Sequence, residues 1–305
     1  MNKYENIISI IRNELTSVDE NISECLNSGF DFLPVALENF LLKKSKKIRS
    51  AFAILFIKAK YGKISSKQIK VLSLAELIHN ASLIHDDIID EAEIRRNELT
   101  INSIFGNASA VIMGDYVLSI TLKELMNFEC SKLNNLFINS MYELCKGELE
   151  QNTMKNKIPT IDEYIIKSRR KTAELFKTAL IGALISENQN DILKNAKEFA
   201  NNFGIMFQIK NDLTNFLQDK VTAKSDIDNG IYTAPVIYLN ENTVSPKIKS
   251  IKKNDPRFLH AVKKTNDLIN LYGRKTLDLI SYFPDNDYKN ALINLCMEVQ
   301  KSRDE

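Results

Sequence analysis

Apolar residues recur three and four positions apart through most of this chain, as at Ala196, Phe199, Ala200 and Phe203. That is the spacing of one face of an α-helix. No Asn-Gly or Asp-Gly turn sits between alternating apolar runs, and the one Asn-Gly, Asn229-Gly230, lies in a polar stretch. Ser65-x-x-Gln68 and Thr160-x-x-Glu163 read as capping boxes that open helices. The pattern predicts helices over 2–26, 34–60, 65–92, 109–127, 131–155, 161–186, 191–218, 233–239, 256–282 and 286–302. Connections are short, except for a polar, lysine-bearing loop from Asp219 to Tyr232. With no Pro/Ser-rich linker and no internal repeat, one all-α domain over 1–305 is the economical reading.

Composition narrows the function. The chain has 305 residues, 44% of them apolar, enough for a large core. Its net charge of +2 is not that of a generic nucleic-acid binder, so no nucleic acid is expected. Cys25, Cys130, Cys145 and Cys296 are far apart, which argues against a disulfide framework or zinc site and for a reduced cytoplasm. The N-terminal MNKYENIISIIRNEL is amphipathic and charged, unlike a signal peptide, and no apolar run is long enough to span a membrane. Three histidines, His79, His85 and His260, exclude a histidine-rich metal site.

The chemistry begins at SLIHDDIIDEAEIRR, from Ser82 to Arg96. On a helix Asp86 and Asp90 project from one face, one turn apart, with Asp87 beside them. A solvated acidic face is the plain reading, but it leaves the repulsion unanswered. A divalent cation answers it, and oxygen-only donors favour magnesium, which commonly bridges carboxylates to substrate phosphates. Arg95 and Arg96 follow, and arginine forks bind phosphate oxygens. Upstream, Lys43 to Arg49 packs five cations into seven residues. Alone it would be a solvated patch; beside the acids it points to a second phosphate site.

The segment from Ala75 to Tyr116, with SLIHDDIID, the paired arginines and the later Gly114-Asp115-Tyr116, resembles the first aspartate-rich region of the trans-isoprenyl diphosphate synthases, or polyprenyl synthetases. The similarity continues through Gly147-Glu148 with Gln151, Lys171-Thr172-Ala173, Gly204, Phe207-Gln208 and Asp226 to Pro235, covering roughly 40 to 300. The resemblance implies one bundle of antiparallel helices of the isoprenoid synthase type around a deep central cavity. It implies head-to-tail condensation of an allylic diphosphate with isopentenyl diphosphate, with Mg2+ as cofactor and the departing pyrophosphate as proton acceptor. By the same resemblance, Lys46, Arg49, His79 and Arg96 would hold isopentenyl diphosphate. Asp86 and Asp90 would ligate magnesium, supported by Asp87. Arg95, Lys171, Thr172, Gln208 and Lys224 would contact the allylic diphosphate. Taken alone, His79 would read as a core histidine and Lys171-Thr172 would carry no specificity.

Two departures stand out. Lys44-Ser45 replaces the Gly-Gly that usually precedes the basic motif, although Lys46 and Arg49 remain. The second aspartate-rich motif, normally D-D-x-x-D, is here Asn211-Asp212-Leu213-Thr214-Asn215. Asn211, Asn215 and Asp219 share one helix face, a spacing that resembles the metal motif of class I terpene cyclases. With Asp212 they are the candidate ligands of a second, less charged metal site.

Ala81 and Ser82 stand five and four residues before Asp86, where aromatics in this family stop chain growth early. Small residues there imply a product longer than fifteen carbons, unless they merely let helices pack closely. The leading expectation is a polyprenyl diphosphate synthase, as a homodimer with at most transient membrane contact. A weakly active or regulatory subunit of a heteromer, or a terpene cyclase, are the alternatives.

Overall fold

The computed structural model describes residues 3–27, 35–42, 46–95, 98–217, 230–241 and 255–301. Arg96, Lys224 and Asp219 lie outside the described residues. The chain divides into two compact units, one of Ile8–Asn139 with Thr178–Leu193, the other of Met1–Ile7, Ser140–Lys177 and Lys194–Glu305.

The elements are α1 (Lys3–Ile8), α2 (Arg12–Asn27), α3 (Val35–Leu42), α4 (Ile48–Tyr61), α5 (Ser66–Ile89), β1 (Ile94–Arg95), β2 (Glu98–Leu99), α6 (Ile101–Phe105), α7 (Asn107–Met126), α8 (Ser131–Thr153), α9 (Ile161–Ser168), α10 (Glu174–Ser186), α11 (Leu193–Leu217), α12 (Ala234–Leu239), α13 (Pro256–Asp278) and α14 (Asp287–Gln300). The fold is all-α, with one antiparallel two-stranded ribbon among the described residues, Ile94 opposite Leu99 and Arg95 opposite Glu98.

Both capping boxes form. Ser65 Oγ accepts from Gln68 N at 3.1 Å while Gln68 Oε1 accepts from Ser65 N at 3.0 Å. Thr160 Oγ1 accepts from Glu163 N at 3.2 Å while Glu163 Oε2 accepts from Thr160 N at 2.7 Å. Each cap satisfies amides that a helix start leaves open, worth about 1 kcal/mol.

In the first unit α5 is apolar on nearly every side, burying Val71, Leu72, Leu74, Leu77, Ile78 and Ile84. A helix apolar all round belongs inside. It packs on α7, where Gly114 makes room for His85: a Cβ at Gly114 would lie 2.2 Å from His85 Nε2. In the second unit Phe176 meets Phe203 and Phe207 edge-on, at centroid distances of 5.2 and 5.5 Å.

Besides a 3-10 turn at Ser9–Ile11 within the helix expected over 2–26, the unexpected α6 and an end at Asp278 for the helix expected over 256–282, three differences from the periodicity bear on the site. The helix expected over 34–60 is interrupted: Lys46 and Lys47 are non-helical, and Lys47 is left-handed at φ 39. A helix there would set like charges three and four residues apart, as at Lys43, Lys46 and Lys47, against each other, and Lys47 turns inward to a partner instead. The helix expected over 65–92 ends at Ile89; Glu91 is left-handed at φ 52 and the two-stranded ribbon follows. Strands of two residues are too short to show alternation. The helix expected over 161–186 carries a π-turn at Arg169–Ala173.

Candidate active site

The end of α5 sorts its three aspartates. Asp87 is buried, 1% exposed, and its Oδ1 accepts from Arg95 Nε at 2.7 Å. Asp86 is half-buried, and Asp90, the residue that caps α5, is exposed. Arg95 is carried by β1, and the return is pinned by Thr100, whose hydroxyl donates to the carbonyl of Ala92 at 2.7 Å. The arginine therefore pairs with the buried acid, while Asp86 and Asp90 are two further carboxylates, one turn apart, with solvent-accessible surface. Hard carboxylate oxygens in that arrangement fit a magnesium ion.

The basic corner belongs to the same unit. Lys46 is exposed and Arg49 half-buried in the first turn of α4. Lys47 does not join them: its Nζ lies 2.6 and 2.8 Å from the two carboxylate oxygens of Asp19 on α2. Ser50 is held by Glu76 of α5, whose Oε1 accepts from Ser50 N at 3.2 Å and Ser50 Oγ at 2.7 Å. Lys47, at the N-cap, makes no side-chain cap, so this carboxylate supplies what a helix start needs. His79 is half-buried on α5. Ala81 is fully buried, whereas Ser82 is half-buried, with its hydroxyl donating to the carbonyl of His79 at 2.8 Å.

The second unit gathers the remaining candidates around the π-turn. Lys171 Nζ pairs with Glu148 Oε2 at 2.7 Å, and Gln151 donates to the other oxygen of Glu148 at 3.1 Å. Thr172 Oγ1 donates to Gln208 Oε1 at 2.6 Å, and Gln208 Nε2 donates to Asp212 Oδ1 at 2.8 Å. The other oxygen of Asp212 accepts from the Tyr164 hydroxyl at 2.5 Å, and both residues are buried. Gly204 allows the approach, since a Cβ there would lie 2.4 Å from Ala173 Cα. Asn211 and Asn215 are exposed on α11. The second motif thus offers neutral amides outward and keeps its one described carboxylate engaged inside, a weaker donor set for a cation than the end of α5. Among the described residues no three His, Cys, Asp or Glu side chains converge as a ready-made metal site.

Residues 31–269 match the sequence profile of the family described as polyprenyl synthetase. The chain belongs to the polyprenyl synthetase family. It is 29% identical over 323 residues to heptaprenyl diphosphate synthase component 2 of Geobacillus stearothermophilus, covering 98% of this chain and 99% of that protein. The crystal structure of heptaprenyl diphosphate synthase from Staphylococcus aureus superposes with a TM-score of 0.81 at 27% identity, over 94% of this chain and 97% of that one. A polyprenyl synthase from Caulobacter crescentus, solved with calcium and isoprenyl diphosphate, shares the fold with a TM-score of 0.85 at 20% identity, over 98% of each chain.

Three contributors of this polyprenyl synthetase carried no motif: Asp19, Glu76 and Tyr164. Glu76 left a trace, as an acid within the apolar run Leu72 to Ile78. Asp19 stands beside Val18, which is fully buried. Tyr164 could not have been paired with Asp212 without the fold.

Proposed function

We propose that this chain is a prenyltransferase that condenses isopentenyl diphosphate with an allylic diphosphate to give a polyprenyl diphosphate longer than fifteen carbons. The observation that carries it is the end of α5, where the buried Asp87 pairs with Arg95 and the half-buried Asp86 and exposed Asp90 stand one turn apart. On this reading Asp86 and Asp90 hold Mg2+, which when bound neutralises charge developing on the departing diphosphate. Arg95, Lys171, Thr172 and Gln208 contact the allylic diphosphate, together with Lys224. Lys46, Arg49 and His79, with Arg96, orient isopentenyl diphosphate. Fixed cations stabilise the leaving group without solvent reorganisation, and an apolar surround protects the allylic cation from water. The departing pyrophosphate takes the proton, so no side-chain base is required. The family match runs through both compact units, which supports one functional domain over 1–305.

Incubation with Mg2+, labelled isopentenyl diphosphate and farnesyl diphosphate tests the reading. Elongated diphosphates support it; a cyclic hydrocarbon from farnesyl diphosphate alone would replace it with a terpene cyclase. Inactivity rescued by a second chain would make this a subunit of a heteromer. That alternative is favoured by the less charged second motif and by the relative named as a synthase component. Asn211, Asn215 and Asp219, with Asp212, are the candidate ligands of a second ion. Asn211→Asp restores a charge there, and the Mg2+ concentration for half-maximal activity is expected to fall several-fold in a magnesium titration.

Product length is assigned to the step before the acids. Ser82 is half-buried and its hydroxyl bonds only within α5 among the bonds described, so Ser82→Phe is expected to shorten the product, read by chain-length analysis. Ala81 has no exposed surface, and a phenylalanine there would act first on packing.

Homodimerisation is supported by exposed apolar residues along one side of α7: Val111, Ile112, Leu122 and Met126. Among the described residues no helix is long and apolar enough to cross a membrane, so contact with one is proposed only for product release. A reduced cytoplasm suits four free cysteines.

A further inference from the structure

We propose that Asp19, on α2, is a positioning residue for the isopentenyl diphosphate site, resting on the reading that Lys46 and Arg49 hold that substrate. Asp19 lies outside the segment that matches the family profile. Its partner, Lys47, stands between the two substrate-facing cations and is the N-cap of α4. A lysine in a run of cations would ordinarily extend into water. Here the Lys47 side chain is only 9% exposed, with both Asp19 oxygens within 2.8 Å. Its backbone is left-handed, φ 39 and ψ 43, a conformation that non-glycine residues hold only when their surroundings impose it. The Lys47 carbonyl also accepts from Ala51 N at 2.8 Å, so the residue fixes where α4 begins.

The consequence is geometric. Asp19 pulls Lys47 inward, Glu76 grips Ser50, and the chain between these two anchors contains Arg49. Lys46, on the other side of the anchored Lys47, is left at the surface. Without the Asp19 anchor the turn can relax to an ordinary helical or extended backbone, which redirects both substrate cations.

The same two helices contain a matched control. Glu14 of α2 pairs with Lys58, near the far end of α4, and that lysine is also 9% exposed. Glu14 therefore joins α2 to α4 without touching the turn.

The test is steady-state kinetics with each substrate varied, alongside thermal melting. Asp19→Asn is expected to raise the KM for isopentenyl diphosphate about tenfold, the equivalent of about 1.4 kcal/mol, with kcat and the allylic KM little changed. Glu14→Gln is expected to lower Tm with both KM values intact. Asp19→Glu should recover part of the lost affinity. Because removing the acid leaves Lys47, 9% exposed, without this partner and can lower stability, although Asp19 itself is 37% exposed, the double variant D19L/K47M keeps the packing without the ions. It should melt close to wild type and still show the raised KM. If D19N and D19L/K47M both bind isopentenyl diphosphate as wild type does while Arg49→Ala weakens it, Asp19 is structural only and the inference is overturned. If Arg49→Ala itself leaves that KM unchanged, the substrate assignment falls, and this inference with it.

Discussion

Replacing Asp86 and Asp90 together by asparagine is expected to lower kcat by about 10²–10³, the range seen when a fixed group that stabilises developing charge is removed. The fold should survive. Asp86 is half-buried and Asp90 exposed, so Tm should fall less than for a fully buried acid. Asp87→Asn is the contrast. Asp87 is 1% exposed and ion-paired with Arg95, so its loss should act on stability as well as rate. Rates under saturating Mg2+ with a melting curve for each variant separate the cases. A D86N/D90N protein that keeps wild-type turnover would remove the chemical role given to the end of α5.

Gly204→Ala is expected to damage both stability and allylic substrate binding. The added methyl would stand 2.4 Å from Ala173 Cα and 2.6 Å from Ala173 Cβ. The nearer atom is backbone, so no side-chain rotation relieves the clash. Overpacking of this kind costs about 1–3 kcal/mol, and in a chain of this size each kcal/mol lowers Tm by roughly 2–4 °C. Ala173 closes the π-turn that carries Lys171 and Thr172, so the displacement reaches the Thr172–Gln208 hydrogen bond. The measurable signature is a lower Tm with a raised allylic KM and an unchanged KM for isopentenyl diphosphate. A wild-type melting curve would show that α11 can retreat from the turn freely.

The helices were legible because they depend on local spacing and on caps that use neighbouring residues. Ser65 with Gln68 and Thr160 with Glu163 form the bonds their spacing implies. The family resemblance, read from motifs such as SLIHDDIID, is matched by the profile over 31–269. What the sequence hid depends on distant partners. The interruption before α4 follows from a lysine drawn to Asp19, 28 residues away. The burial of Asp212 follows from Tyr164, 48 residues away. Asp86, Asp87 and Asp90 are chemically alike in the sequence, yet in the structure Asp87 is buried against Arg95 of the returning ribbon, Asp86 is half-buried and Asp90 is exposed. Ala81 and Ser82 look equivalent as small residues, yet one is fully buried and the other is not.

The ribbon after α5 is tied back to the helix it leaves. Arg95 reaches Asp87, Thr100 holds Ala92, and the amide of Thr100 donates to the carbonyl of Glu93 at 3.0 Å. Segments cross-tied in this way open as a unit rather than fraying residue by residue. Amide hydrogens of Asp90, Ala92 and Thr100 should therefore exchange with deuterium at one shared rate, and a divalent ion resting on the helix end should slow all three together.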